Sequence, residues 1–245
     1  MAHPPRRHVG AWVAVALGVV TLLEAAAARR SASEVRVATP ADAASAPASR
    51  VTLRVPRAAG PIVLDGKTAD PGWLGPVAQT GPLTSVDGRP MADSVVRAAW
   101  GEGKLYFTLF AADTDVRASA VAHDAPLWPE DSFRLTFGGA SAGESRVLSL
   151  SPLGTVNDAV VRGDRIDTSW ESGATVAHDI DGTANDPGDE DEEWVLEIAI
   201  PLASLGLRGA AGERIGFSAR RCDVREGARR RCAAWGEPAG ELVLE

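Results

Sequence analysis

The stretch SVVRAAW-GEGK-LYFTLFA, residues 94–111, decides the fold class. Two runs rich in β-branched and aromatic residues flank Gly101-Glu102-Gly103-Lys104, a short loop with two glycines. This is a β-hairpin signature, because glycine accepts the positive φ that a tight hairpin turn needs. Neither run has the 3.6-residue spacing of an amphipathic helix.

The period of two extends outward in both directions. Upstream, residues 51–55 alternate, and Ile62-Val63-Leu64 precedes an Asp65-Gly66 turn. Downstream, strands are expected over 132–137, 146–151, 174–178, 194–200, 214–223, 231–235 and 241–244. Within 194–200, Trp194, Leu196, Ile198 and Ile200 share one face. Val195, Glu197 and Ala199 share the other, which predicts a strand buried on one side and half-wet on the other. The one helix candidate is a single turn near 201–205. Short strands punctuated by 25 Gly and 16 Pro predict an all-β chain. The expected architecture is a two-sheet antiparallel β-sandwich, jelly-roll-like.

The chain has 245 residues, is 45% hydrophobic and carries a net charge of −8. A packed core is affordable at this size. The acidic balance argues against nucleic acid, whose phosphates demand a basic face. The first 30 residues carry +3, leaving −11 on the remaining 215. Arg6 and Arg7 precede an uncharged run over 9–23 and small residues at 25–28, the pattern of a signal peptide over 1–28. An uncleaved membrane anchor is the alternative, although the run is shorter than the about 20 apolar residues of a spanning helix. Residues 29–50, dominated by Ala, Ser and Pro, read as a disordered linker. The folded domain is expected over 51–245, in a secreted, periplasmic or cell-surface protein.

Export implies an oxidising compartment, and two cysteines are present, Cys222 and Cys232. If the last hairpin turns at Gly227, they face each other, which predicts a cross-strand disulfide. Two reduced thiols are the alternative.

Catalytic signals are absent. Past the leader only His123 and His178 remain, with no HExxH, GxSxG, P-loop or GxGxxG. No enzyme is expected, although a glycosidase needs only two carboxylates. The densest acidic stretch holds Asp179, Asp181, Asn185, Asp189 and Asp191, and a second pair is Asp113 and Asp115. Such oxygen-rich loops suit a structural calcium ion, or are solvated acidic turns. Trp128 stands out because Pro126 and Pro129 flank it. An indole on a stiff loop offers a flat apolar face beside polar groups, which suits a sugar ring. Trp170 is a second loop indole. The alternative for both is a plug over a sheet edge.

In order along 51–245, several segments resemble family 9 carbohydrate-binding modules. They are Ile62-Val-Leu-Asp65-Gly66 with Trp73, Val95 to Trp100 leading into Leu105-Tyr106-Phe107, and Asp113-Thr-Asp115. Trp128-Pro-Glu-Asp131-Ser132-Phe-Arg-Leu, Ser151-Pro152-Leu-Gly154-Thr and Gly182-Thr-Ala-Asn185 follow. Trp194 to Pro201, Ile215-Gly-Phe217 and Ala233-Ala-Trp235 complete the series. The resemblance implies a β-sandwich, often with structural calcium, and a site where two tryptophans clamp a terminal sugar. Trp128 matches the first stacking tryptophan. Arg134 stands where an acidic ligand residue is expected, and Arg146 corresponds to an arginine of the next strand, to within one residue of register. The loop 236–240, where the second tryptophan belongs, has no aromatic residue. The resemblance implies an exported carbohydrate-binding domain. The alternatives are an interaction or structural domain on the same sandwich, or a haem-binding relative with axial ligands among Met91, His123, His178, Lys67 and Lys104.

Overall fold

The computed structural model describes residues 50–89, 91–139, 143–225 and 229–245. The expected signal peptide, all of the linker but Arg50, and the hairpin tip at Gly227 lie outside the described residues.

Two sheets are formed. The smaller is antiparallel throughout and has the order β10-β11-β5-β4-β2. These strands are β2 (Ala78–Pro82), β4 (Ser94–Gly101), β5 (Lys104–Ala112), β10 (Thr175–Asp181) and β11 (Glu193–Pro201). The hairpin that opened the sequence reading joins β4 to β5, turning through Glu102 and Gly103 at φ 52° and 75°.

The larger sheet runs β1-β14-β12-β6-β7-β8-β9. It comprises β1 (Thr52–Val55), β6 (Ser132–Gly139), β7 (Glu144–Leu150), β8 (Val156–Arg162), β9 (Arg165–Asp167), β12 (Arg214–Asp223) and β14 (Glu241–Leu244). The long β12 also pairs β13 (Arg231–Trp235), which pairs β3 (Thr84–Ser85). One pairing departs from the antiparallel expectation: β1 lies parallel to β14.

The inner faces of the sheets meet in one hydrophobic core. Phe107 of the small sheet lies 6.0 Å from Phe137 and 5.4 Å from Phe217 of the large one, ring to ring. Phe133 meets Trp194 edge-on at 5.2 Å. Such aromatic pairs bind the sheets beyond their burial of area.

The outer face of β11 corrects the half-wet expectation. Glu197 and Ala199 are as buried as Trp194. The chain ahead of β2 lies over this face, and Ile62-Val63-Leu64, expected as a strand, belongs to that cover. It includes the short helix α1 (Pro71–Leu74), whose Trp73 packs on Ala99, Tyr106 and Ala199. The Glu197 carboxylate fastens the cover. Its Oε1 accepts the Trp73 indole N–H at 2.7 Å, and its Oε2 accepts the Asp65 and Gly66 amides at 2.9 Å each. A buried carboxylate is tolerated here because three donors replace its water. The expected turn near 201–205 is a 3-10 turn, Leu202–Leu205.

Candidate functional site

Side chains alternate across a strand, so the outer face of the large sheet can be read from its register. Arg134 faces Ser149 on one side and Arg220 on the other, and Ser149 faces Asn157. Ser132 faces Cys222, which faces Cys232. These residues line a groove of about 360 Å³ together with Pro126, Leu127, Trp128 and Arg230. That volume is in the range of small-ligand sites.

The loop beside the groove is pinned at its foot. Leu127 is buried, while Trp128 next to it is 71% exposed. Glu130 Oε1 accepts the Ser119 amide, the Ser119 hydroxyl and the Ala120 amide at 2.6–2.9 Å. A carboxylate gripping three donors fixes the backbone two residues after the indole. The plug reading therefore fails for Trp128, which stands in solvent.

The groove is basic. Arg220 forks onto Glu237, its Nε lying 2.9 Å from Oε1 and its Nη2 on Oε2. Arg230 reaches the Ser132 hydroxyl at 3.0 Å. Desolvation, then the neighbouring Arg220 charge, draw the Arg134 pKa below the usual guanidinium value, against the pull of Glu237. Arg230 is lowered too, chiefly by desolvation, with Arg134 and Arg220 adding repulsion and Asp131 opposing it.

Two expected site residues lie elsewhere. Arg146 faces Phe137 and so shares the inner, core-facing side of the sheet, where it pairs with Glu144 at 3.4 Å. Trp170 packs half-buried against the main core. The register of β6 against β12 instead supplies Arg220, which sequence spacing alone did not single out. Cys222 and Cys232 form the expected disulfide, directly opposed on β12 and β13.

Acidic groups that could hold a metal ion are present. Among the described residues, ligand atoms of His123, Asp124 and Asp158 lie within 4.8 Å of one another, as do those of Asp113, Asp131 and Asp223. Of the seven expected ligands, only Asp113 belongs to either group. Asp191 spends its two oxygens on the Val116 and Thr183 amides, at 2.6 and 2.7 Å. Asn185 is held by Ala118, and Asp115 by Arg117. Asp179, Asp181 and Asp189 are exposed.

The Asp113 group is wholly buried and already holds a cation, the guanidinium of Arg221. Arg221 Nη2 bonds Asp113 Oδ2, and its Nη1 lies 3.6 Å from Asp223. Arg231 reaches Asp223 at 3.1 Å. Desolvation and then the Asp113 charge push the Asp131 carboxyl up to about 7, against bonds from the Arg117 and Val224 amides. The folded chain thus keeps a proton that the unfolded chain releases near pH 4. This contribution to stability is full below pH about 4 and is lost as pH rises through about 7. Urea unfolding across pH 4–8 should show that decline, and Asp131→Asn should flatten it. An equal slope in both proteins would place the titration elsewhere.

No known protein-family profile matches the sequence, and no curated protein matches it. Solved structures do. A Bacteroides uniformis protein provisionally named as carbohydrate-binding aligns with TM-score 0.59 and 15% identity over 80% of this chain and all of its own. A family 9 carbohydrate-binding module from Caldicellulosiruptor kristjanssonii in complex with cellotriose aligns with TM-score 0.55 and 15% identity, over 79% of this chain and 93% of its own. A family 9 module from the same organism in complex with glucose gives 0.53 and 16%, over 78% and 95%. At such identities the likeness concerns the path of the backbone, and on that ground this chain has the fold of the family 9 carbohydrate-binding modules.

Proposed function

We propose that this chain is an exported, non-catalytic carbohydrate-binding domain whose site is the groove beside Trp128. One observation carries the reading: an exposed indole on a pinned loop stands beside a groove lined with guanidinium, hydroxyl and amide groups. A sugar ring has a C–H face and a hydroxyl rim, and this pairing of plane and donors answers both. The structural neighbours solved with cellotriose and glucose support it. The proposed chain order is a signal peptide over 1–28, a linker over 29–50 and the binding domain over 51–245. The Cys222–Cys232 disulfide agrees with an oxidising compartment. Among the described residues no helix is long and apolar enough to cross a membrane.

Within the Asp113 group, which could hold a metal ion, Arg221 already supplies one positive charge and offsets part of the acidic charge. The other expected calcium ligands turn to backbone donors, to arginine or to solvent, and do not converge.

Calorimetric titration with a panel of neutral and acidic oligosaccharides tests the proposal. A one-sided platform should bind weakly, with Kd about 0.1–1 mM, or about −4 to −5.5 kcal/mol. Chromatography should return the sugar uncleaved. Cleavage would make the domain an enzyme. No binding to any glycan would favour the second reading, an interaction domain on the same sandwich, which the aromatic-free loop at 236–240 supports.

A further inference from the structure

Arg134 and Arg220 are directly opposed on β6 and β12, so their side chains leave the sheet side by side. Like charges in that position destabilise a sheet. Glu237 forks onto Arg220 and also attracts Arg134, and Arg230 brings a third guanidinium to the same groove. Among the described residues no carboxylate lines it. Even with Glu237 counted, the place carries an excess of two positive charges, in a chain whose net charge is −8. A sandwich held together only by its core has no use for this concentration of cations on an open face.

We infer that the groove recognises an anionic glycan, one whose sugars carry carboxylates, as in polymers of uronic acids. This rests on the carbohydrate reading above and names the ligand class of the same site. A guanidinium presents a planar fork of donors that fits a carboxylate with two parallel bonds. Trp128 would take the face of one ring while Arg134 and Arg230 take the carboxylate of that ring or the next. Arg134 standing where the resemblance leads one to expect an acid then has a reason. An acid there would repel a uronate, whereas an arginine attracts it. Desolvation lowers Arg134 and Arg230 first and repulsion among the three guanidiniums adds to it, and that repulsion is relieved when an anion enters.

The test compares sugars of one backbone that differ only in charge. The full-length chain is titrated at low salt with cellotriose and with β-1,4-linked triglucuronate, in which each CH₂OH is a carboxylate. Galactotriose and trigalacturonate form a second pair. The acid of at least one pair should bind about 10-fold or more tighter than its neutral partner. The preference should shrink as salt rises to 0.5 M, because screening weakens exposed charge interactions. Arg134→Gln and, separately, Arg230→Gln should each cut it to about 3-fold or less. Arg54→Gln, on exposed Arg54 paired with Glu245 outside the groove, should leave it intact. Equal binding of acid and neutral sugars would overturn this inference and leave the carbohydrate reading standing. Binding of none of the four sugars would overturn both. A preference that survives both groove substitutions would place the anion elsewhere and reject the groove as its site.

Discussion

Arg221→Met should destabilise the fold by about 3–5 kcal/mol at neutral pH, the penalty of removing one partner from a buried ionic group. Arg221 is fully buried, as are Asp113, Asp131 and Asp223 around it. The variant keeps three carboxylates in an apolar setting and removes the only fully buried cation among them. Arg231 stays near Asp223, but its side chain is 28% exposed. Asp113 would retain the Trp194 indole N–H at 3.3 Å and the Asp115 amide at 3.2 Å. Methionine has a similar length, so packing is nearly conserved and the loss reports charge. The loss should therefore depend on pH. As pH falls from 7 to 4 the Asp131 carboxyl, pushed up to about 7 by desolvation and the Asp113 charge, takes up its proton, repulsion within the group falls, and the gap to the parent chain should narrow. Asp113→Asn added to Arg221→Met should recover part of the stability, because it removes one of the stranded charges. Urea denaturation of the single and double variants at pH 4 and 7 gives all four values. A loss under about 1 kcal/mol at pH 7 would mean that water or the remaining arginines neutralise the group.

The ionic group also shows where sequence reading stops. The strands with clean alternation, β4, β5, β6 and β11, were legible because their apolar residues recur at every second position. The opposed cysteines were legible for the same reason, since a hairpin maps sequence symmetry onto register. Arg221 and Asp223 lie in the strand expected over 214–223, and both are buried. Their burial depends on Asp113, which is 108 residues from Arg221 in the chain. No local pattern announces a partner that distant. The strand β8 was missed for a related reason. Asp158 is buried within it, its Oδ2 capping the Ser172 amide at 2.7 Å, and a carboxylate at an inward position breaks the alternation. The face of β11 bearing Glu197 was expected to be half-wet because a glutamate usually is. Three donors from the chain ahead of β2 reverse that preference.

The groove was half legible. Trp128 could be singled out because two prolines frame it, and Arg134 because it departs from the resemblance. Arg220 needed the pairing of β12 with β6, and Arg146 fell on the wrong face because a shift of one residue exchanges the faces of a strand. Four sequence candidates thus reduce to Trp128 and Arg134, while Arg220, Arg230, Ser149 and Asn157 enter from the fold.

Trp128→Ala should abolish measurable glycan binding and leave stability within about 0.5 kcal/mol of the parent. The two halves of this expectation come from the same number. At 71% exposure the indole buries little of itself, so the core loses almost nothing when it is truncated. The loop stays in place because Leu127 and Glu130, and not Trp128, hold it. Among the described residues the exposed indole is the one broad apolar plane beside the groove, since Trp170 is packed on the core and the loop at 236–240 has no aromatic residue. Hydrogen bonds from arginine to a neutral sugar largely exchange for those it makes with water, so their net gain is small. Losing the plane from a site of about 0.1–1 mM should therefore push Kd at least 10-fold higher, beyond about 10 mM for the weaker ligands, or at least about 1.4 kcal/mol. Titration and thermal melting on one preparation separate the outcomes. Intact binding in the variant would remove Trp128 from the site. Lost binding with a large drop in melting temperature would make the indole a support of the loop and not the surface that meets the sugar. Lost binding with an unchanged melting temperature assigns the indole to the ligand, because a residue that contributes nothing to the fold has only the ligand left to contact.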